Sequence, residues 1–275
     1  MNRKHLKSLL LFSAVCTVLP VYAVAPGHLS RQKRSIFRGV NYAHRGLHSR
    51  DRRIPENSFP AFRRAAREGY GIELDVRLSK DGKVVVFHDD TLDRVCGVPA
   101  RVDELTWEEL RALRLYGTDE RIPLFSEVLR SIHGAAALIV ELKNGPRNRE
   151  LCEKTKALLE EYRGNVCIES FNPLIVAWFR FHAPKLVRGQ LATAFRDYHS
   201  DGVKTAAAFV LHNTLLNFLS RPQFIAYRIG RRPLPVRLCT RLGALNIGWT
   251  SHEPRSEQNR DAVIFEFYRP RQRYL

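Results

Sequence analysis

Eight short apolar runs divide this chain, and most neighbouring runs leave room for a helix between them. They lie at residues 40–43, 71–75, 137–142, 166–169, 187–191, 224–227, 244–249 and 262–267. Alternation of such runs with segments of helical periodicity is typical of a parallel sheet covered by helices. Because the runs number eight and the chain has 275 residues, we predict an α/β fold, a closed (β/α)8 barrel of the TIM type, over residues 39–275.

One pair of runs departs from this alternation. Only the turn at residues 79–82 separates residues 71–75 from a further apolar run at residues 83–87. A parallel crossover needs a dozen or more residues, so these two strands are expected to form an antiparallel hairpin. The second arm would run back toward the mouth of the barrel and bring His88 there. We therefore predict a small insertion after strand two, at about residues 76–122.

Charged side chains occur where the barrel strands end. Glu73 and Asp75 end the second run, and Glu141 and Lys143 end the third barrel strand. Functional residues of such barrels come from the C-terminal ends of the strands, and residues two apart on a strand share a face. Three carboxylates at one mouth would be costly to bury without a compensating charge. They are hard oxygen ligands, and we predict that they hold one divalent cation, Mg2+ or Ca2+.

Two histidines are expected at the same mouth. His44 follows the first run, and His88 follows the hairpin. Cleavage of a phosphodiester needs a base at the nucleophile and an acid at the leaving oxygen, and histidine suits both roles near neutral pH. We predict that His44 and His88 are this pair, with either assignment of acid and base open. Arg45 and Lys143 are predicted to bind the substrate phosphate.

The residues at these positions resemble the motifs of the glycerophosphodiester phosphodiesterases. The motifs stand here as His44-Arg45-Gly46, Pro55-Glu56-Asn57, Glu73-Leu74-Asp75, His88-Asp89 and Glu141-Leu142-Lys143, continued by Ser170-Phe171-Asn172-Pro173 and Gly248-Trp249-Thr250. The resemblance implies a (β/α)8 barrel with an insertion after strand two and the same metal, acid–base and phosphate residues. It also implies hydrolysis of a glycerophosphodiester to an alcohol and glycerol 3-phosphate.

Two further residues are candidates for supporting roles. Glu56 either orients the loop that carries Arg45 or approaches the metal, and capping of the following helix by residues 56–58 is the competing explanation. Trp249 either packs against the glycerol or headgroup of the substrate or belongs to the core at a strand end.

The net charge suggests which partners the chain has. The 45 Lys and Arg residues exceed the 28 Asp and Glu residues, which gives a net charge of +17. A basic chain favours anionic partners such as phosphate esters and lipid headgroups, and the absence of a nucleic-acid-binding motif predicts no nucleic-acid partner.

The first 25 residues have a composition of their own. Basic residues precede an apolar run at residues 9–25, which is typical either of a membrane anchor or of a cleaved signal peptide. Pro26 follows the candidate cleavage site, so we predict an uncleaved anchor on either side of the membrane rather than a secreted form. Residues 26–38 would be a basic linker against anionic lipid, as in a membrane-attached branch of the family.

Three functions follow from these observations. The first is hydrolysis of glycerophosphodiesters. The second is a lysophospholipase D-like or phosphatidylinositol phospholipase-like activity on the same barrel, which the N-terminal segment favours. The third is a phospholipid-binding protein without catalysis, although every expected acid, base and metal position is present.

Overall fold

The computed structural model describes residues 21–271 and contains a closed barrel of eight parallel strands. The strands are β1 (Tyr42–Ala43), β2 (Gly71–Leu78), β4 (Leu138–Leu142), β5 (Val166–Ser170), β6 (Val187–Ala192), β7 (Phe224–Arg228), β8 (Leu245–Ser251) and β9 (Ala262–Phe265), with β3 (Val84–Val86) outside the barrel. Strand β1 pairs in parallel with both β2 and β9, which closes the barrel. The predicted (β/α)8 fold is confirmed, and all eight strands overlap the predicted runs.

Helices cover the outside of this barrel. They are α1 (Arg31–Phe37), α2 (Phe59–Arg67), α3 (Asp93–Cys96), α4 (Trp107–Leu110), α5 (Phe125–Ile132), α6 (Asn148–Glu161), α7 (Pro173–His182), α8 (Phe195–Ser200), α9 (Thr205–His212), α10 (Asn217–Ser220) and α11 (Leu234–Arg241). Sequence signals explain several of their ends. At α7, for example, the Asn172 side chain accepts a hydrogen bond from the Leu174 N–H at 2.9 Å, and Pro173 opens the first turn.

The hairpin after β2 forms as predicted. Residues 76–78 of β2 pair with β3 in the antiparallel direction, so the chain returns toward the C-terminal end of the barrel. The insertion that follows has a separate apolar core, in which Phe87, Leu92, Leu110 and Leu115 are buried. This core explains why the short helices α3 and α4 are held over the rim of the barrel, since neither is long enough to be stable alone.

The apolar interior of the barrel fills only its lower part. Ile139, Cys167, Leu245 and Ile264 pack there, toward the N-terminal ends of their strands. One step further along β2 and β4, the inward-facing residues become carboxylates. The apolar layers therefore form a floor beneath a polar mouth.

Residues 26–38 pack against the bottom of the barrel, and this differs from the predicted lipid-facing linker. Helix α1 lies within them, and its last residue, Phe37, is buried in the lower core together with Leu29. The Gln223 side chain donates to the His28 carbonyl at 3.0 Å. The basic composition suggested a linker against lipid, but the two apolar side chains among the basic ones decide the packing.

The predicted membrane anchor needs a correction. Among the helices within residues 21–271, none is both long enough and apolar enough to cross a membrane. The prediction that one N-terminal segment anchors the protein is therefore wrong, and residues 1–20 of that segment lie outside the described chain. The end of the segment packs on the barrel instead, because Val24 is buried and Arg221 donates to the carbonyls of Tyr22 and Ala25.

Candidate active site

The loop after β1 places two candidate residues side by side. Gly46 makes the sharp turn possible, since its φ is +77° and an added Cβ would lie 2.9 Å from the Ala61 backbone. The Gly46 N–H donates to the carbonyls of Ala43 and Glu73. This turn directs His44 and Arg45 to the mouth of the barrel.

The three predicted metal ligands come together. Oxygens of Glu73, Asp75 and Glu141 all lie within 4.8 Å of one another, and all three residues are buried. The register explains this, because Asp75 lies beside Glu141 on neighbouring strands and Glu73 points to the same side two residues earlier.

Neighbouring residues hold each carboxylate. Glu73 Oε2 accepts from the Arg45 backbone N–H at 2.9 Å. Asp75 Oδ2 accepts from the Asn57 side-chain amide at 2.9 Å. Lys143 Nζ lies 2.8 Å from Glu141 Oε1 and 3.4 Å from Asp75 Oδ1. The predicted phosphate-binding lysine therefore pairs with two members of the cluster.

The cluster holds more negative charge than the basic side chains beside it balance. Burial, together with the charges of Asp75 and Glu141, raises the pKa of Glu73 well above its ordinary value. Burial also raises the pKa of Glu141, against the opposing charge of Lys143. The pKa of Asp75 changes in the opposite direction. Burial alone would raise it, but the charges of His88, Lys143 and Arg45 lower it well below the ordinary range. The protein supplies less positive charge than these three carboxylates need.

A divalent cation fits this arrangement. Glu73 Oε1 is fully buried and receives no hydrogen bond from any residue between 21 and 271. A buried acceptor without a donor is costly unless a ligand satisfies it. Three convergent carboxylates are the donor set that hard divalent cations prefer, so the cluster could hold a metal ion.

His44 is held by a carboxylate that the sequence did not reveal. Its Nδ1 lies 2.6 Å from Oε1 of Glu266, and its Nε2 lies 3.8 Å from Glu73 Oε2. Burial alone would raise the pKa of Glu266, but hydrogen bonds from His44 and His48 keep it well below its ordinary value. An ionised carboxylate accepts, so neutral His44 carries its proton on Nδ1 and leaves Nε2 with a free lone pair facing the cluster.

His88, which follows β3, has the same arrangement. Its Nδ1 lies 2.6 Å from Asp89 Oδ1, and Asp89 in turn accepts from Arg94 Nε at 2.6 Å. Burial lowers the pKa of His88 to about 4, with Lys143 and Arg45 acting in the same direction and Asp75 against it. Burial and Arg45 lower the pKa of His44 as well. Burial therefore favours the neutral form of each imidazole, and one of them must take up a proton on Nε2 before it can act as an acid.

Glu56 connects the loop after β1 to the insertion. Its Oε1 accepts from Arg45 Nη1 at 2.8 Å and from Arg94 Nη2 at 2.7 Å, and its Oε2 accepts from the Tyr116 hydroxyl at 2.9 Å. Of the three explanations left open, these contacts agree with orientation of the loop that carries Arg45. No side chain among the described residues caps the start of α2, where Ser58 donates to the Pro55 carbonyl instead.

Trp249 and Phe171 form an aromatic wall beside the mouth. Their ring centroids lie 5.5 Å apart with the planes at 86°, and the Trp249 indole N–H reaches the carbonyls of Ala192 and Ala226. They line a groove of about 710 Å³, which Asp197, Arg228 and His252 also line. The groove therefore carries both aromatic and charged side chains.

Sequence reasoning missed two residues that contact this centre. Asn57 lies within a motif that was identified, and its amide holds Asp75. A signal for Glu266 was present, because it is the first polar residue after the apolar run Ala262–Phe265. In a barrel, an acidic residue at that point faces the mouth.

The fold and the mouth together define the class of protein. It is a (β/α)8 barrel whose C-terminal end carries a carboxylate cluster that could hold a cation. Two histidines, each supported by a carboxylate, belong to the same mouth. The model of the glycerophosphoryl diester phosphodiesterase family matches residues 44–266. The chain therefore belongs to this family. The narrower prediction of a membrane-attached branch is not confirmed.

Curated relatives match about half of the chain. A glycerophosphodiester phosphodiesterase of Caldanaerobacter subterraneus subsp. tengcongensis is 38% identical over 160 residues, which are 54% of this chain and 65% of the relative. A lysophospholipase D of Rattus norvegicus is 32% identical over 151 residues, 50% of this chain and 46% of the relative. The chain spans less than two thirds of the length of the curated relatives it matches.

Solved structures share the fold over most of the chain. A phosphodiesterase of Oleispira antarctica, in complex with the product sn-glycerol-3-phosphate, has a TM-score of 0.68 at 22% identity and covers 84% of this chain and 94% of its own. A glycerophosphodiester phosphodiesterase of Thermotoga maritima has a TM-score of 0.63 at 26% identity, with 82% and 94% covered. The first likeness shows the barrel fold alone.

Proposed function

We propose that the chain hydrolyses glycerophosphodiesters to an alcohol and glycerol 3-phosphate with the help of one divalent cation. The observation that carries the proposal is the buried carboxylate cluster together with two histidines, each supported at Nδ1 by its own carboxylate 2.6 Å away. The family and its curated members support the reaction class.

Glu73, Asp75 and Glu141 would hold the cation. When bound, a divalent cation polarises the phosphoryl group and neutralises charge that develops on its oxygens. Mg2+ and Ca2+ both prefer carboxylate oxygens, and Ca2+ accepts more ligands in less regular geometry. We therefore propose one of these two hard cations.

His44 and His88 act as a proton-transfer pair. One imidazole takes the proton from the attacking O–H through its free Nε2 as the new P–O bond forms. The other, protonated on Nε2, gives its proton to the leaving alcohol oxygen, which receives the electron pair of the breaking P–O bond. Glu266 and Asp89 act as positioning residues, because they keep the Nδ1 proton of each ring and stabilise its charged form.

Arg45 and Lys143 would bind the phosphate. The Arg45 side chain is only 15% exposed and is held by Glu56. Its guanidinium is therefore oriented before substrate binds, which saves ordering entropy. Lys143 lies against the cluster and supplies a positive charge beside the phosphoryl oxygens.

The groove beside Trp249 is the proposed place for the leaving group. An aromatic wall favours a choline-type cation or an apolar chain, and the Asp197 carboxylate favours a positive charge. The groove also makes lysophospholipid a second candidate substrate, since one acyl chain could lie along Phe171 and Trp249. Curated relatives named lysophospholipase D support this candidate.

A substrate panel tests these proposals. Purified protein is assayed on glycerophosphocholine, glycerophosphoethanolamine, lysophosphatidylcholine and phosphatidylinositol, each with Mg2+ and then with Ca2+. We expect the deacylated diesters to turn over fastest. Faster turnover of lysophosphatidylcholine would favour the second candidate, and turnover of phosphatidylinositol would favour a phospholipase activity.

A matched pair of variants tests the histidine role. His44→Asn should lower kcat by roughly 10²- to 10⁴-fold, the usual contribution of a positioned acid or base. His133→Asn makes the same change at an exposed position on the helix end far from the mouth and should retain the wild-type rate. Full activity of His44→Asn would refute the mechanism. Binding of phospholipid without any hydrolysis would instead favour a non-catalytic lipid-binding protein.

A further inference from the structure

A fourth buried carboxylate lies in the same row as the metal cluster. Asp75 of β2 is in register with Glu141 of β4, and Glu141 is in register with Glu169 of β5. Neighbouring strands lie about 4.8 Å apart, and residues in register on parallel strands face the same side. Three acidic side chains therefore line the inside of the barrel at one level.

Glu169 has no described partner that explains its burial. The residue is 1% exposed, and its Oε2 receives no hydrogen bond from residues 21–271. None of the ion pairs in that part of the chain includes it, whereas Asp75 and Glu141 both contact Lys143. An unpaired buried carboxylate costs several kcal/mol unless charge or a hydrogen bond compensates it.

Glu169 has apolar neighbours on one adjacent strand and charged neighbours on the other. Its register partner on β6 is Gly189, and the Phe224 ring occupies the space where a Gly189 side chain would be. On the other side stands Glu141, and the negative charges of Glu141 and Asp75 act on Glu169 against the positive charge of Lys143. Apolar groups thus close one side of Glu169, and the acidic cluster lies on the other.

Counted as ionised, these three carboxylates and Glu73 carry more charge than the two basic side chains beside them balance. Glu73, Asp75, Glu141 and Glu169 contribute four negative charges, and Arg45 and Lys143, which contact Asp75 at 3.6 and 3.4 Å, contribute two positive charges. The difference, four minus two, is two negative charges. One divalent ion would balance it.

We propose that Glu169 is a fourth carboxylate of the cation centre and strengthens its hold on a hard divalent ion. The inference rests on the cation site of the proposed function and adds a residue outside the three-carboxylate cluster. Affinity of oxygen-ligand sites rises with the number of negative charges around the ion. Groups just outside the direct ligands commonly change metal affinity 10- to 100-fold.

Calorimetric titration of the cation-free full chain with Ca2+, and separately with Mg2+, tests the inference without any substrate. Glu169→Gln keeps the shape of the side chain and removes its charge, and we expect it to weaken cation affinity by about 10- to 100-fold. Glu161→Gln makes the same change at an exposed position on α6 and should bind as the wild type does. Glu141→Gln, which removes a proposed direct ligand, should weaken binding further.

The outcomes separate this inference from the proposed function. Wild-type affinity in Glu169→Gln, together with weakened affinity in Glu141→Gln, would overturn the role of Glu169 and leave the three-carboxylate site intact. No binding by the wild type would overturn the cation site itself. Cation-free Glu169→Gln should melt no lower than the wild type, and such a melting temperature would show that the variant folds. If Glu169→Gln does not fold, Glu169→Ser provides the same comparison, because the smaller side chain leaves room for water.

Discussion

At the scale of single residues, Glu266 carries a testable part of the mechanism. Its carboxylate holds His44 through Nδ1 at 2.6 Å and touches His48 at 3.4 Å. Glu266→Gln keeps the side-chain shape but can present an amide N–H to Nδ1, which would favour the wrong tautomer. We expect kcat to fall by roughly 10²-fold with little change in KM, because the loss affects proton transfer rather than binding.

Two comparisons control the Glu266 experiment. Glu266→Asp restores a carboxylate on a shorter side chain and should recover part of kcat, whereas Glu253→Gln changes an exposed carboxylate on the same rim and should leave the rate unchanged. An equal loss in the Asp and Gln variants would point to packing rather than to the carboxylate. Unchanged kcat in Glu266→Gln would contradict its positioning role.

Glu56 makes a prediction about pH. Burial alone would raise the pKa of Glu56, but hydrogen bonds and charge from Arg94 and Arg45 lower it from 4.5 to about 2. A carboxylate with a depressed folded-state pKa stabilises the fold above its unfolded pKa, and this stabilisation is lost as the pH falls from about 4.5 toward 2. The shift corresponds to roughly 3 kcal/mol.

Thermal melting of the wild type and Glu56→Gln measures this effect. The wild type should be more stable at pH 7, and the gap should be unchanged at pH 5.5. It should shrink as the pH approaches 3, because the Glu56 carboxyl takes up a proton in the unfolded chain there while it stays ionised in the folded protein. A gap that stays constant down to pH 3 would contradict the depressed pKa.

At the scale of structural elements, the strands and most site residues could be predicted because periodicity and strand-end position are local signals. Glu73, Asp75 and Glu141 follow directly from them. The strand-end position of Glu266 was a usable signal, but its pairing with His44 could not be predicted, because that contact joins the last strand to the first across 222 residues and depends on closure of the barrel. The packing of α1 was missed for a similar reason, since two apolar side chains among basic ones decide it.

The turn after β1 gives an element-scale prediction. Gly46→Ala introduces a Cβ that would lie 2.9 Å from the Ala61 backbone and the Phe62 ring, and it also places alanine at a φ of +77°. Gly97→Ala has a similar φ of +69° but no atom within 4 Å. Both variants should lose about 1 kcal/mol to backbone strain, and Gly46→Ala should lose a further 1–3 kcal/mol to overpacking.

Urea unfolding of the two glycine variants measures the difference. Gly46→Ala should also lower kcat, because the same turn carries His44 and Arg45, whereas Gly97→Ala should not. Equal destabilisation of the two variants would show that close packing at Gly46 contributes nothing beyond its φ.

At the scale of the whole molecule, cation binding should stabilise the fold. The described chain buries more carboxylate charge at the mouth than its own basic residues balance there, so an ion bound there favours the native state. A ligand at 100 times its Kd adds about 2.7 kcal/mol. The melting temperature should therefore rise on addition of Ca2+ or Mg2+ and return on chelation, and Glu141→Gln should show a much smaller rise. An equal rise in both proteins would place the stabilising ion elsewhere.

Cation-dependent formation of glycerol 3-phosphate tests the central claim most directly. Chelator-treated protein is incubated with glycerophosphocholine, and phosphorus NMR follows the products before and after stoichiometric Mg2+ or Ca2+ is restored. We predict no turnover without cation and conversion to glycerol 3-phosphate and choline with it. Full turnover in the presence of chelator, or phosphocholine and glycerol as products, would contradict the account.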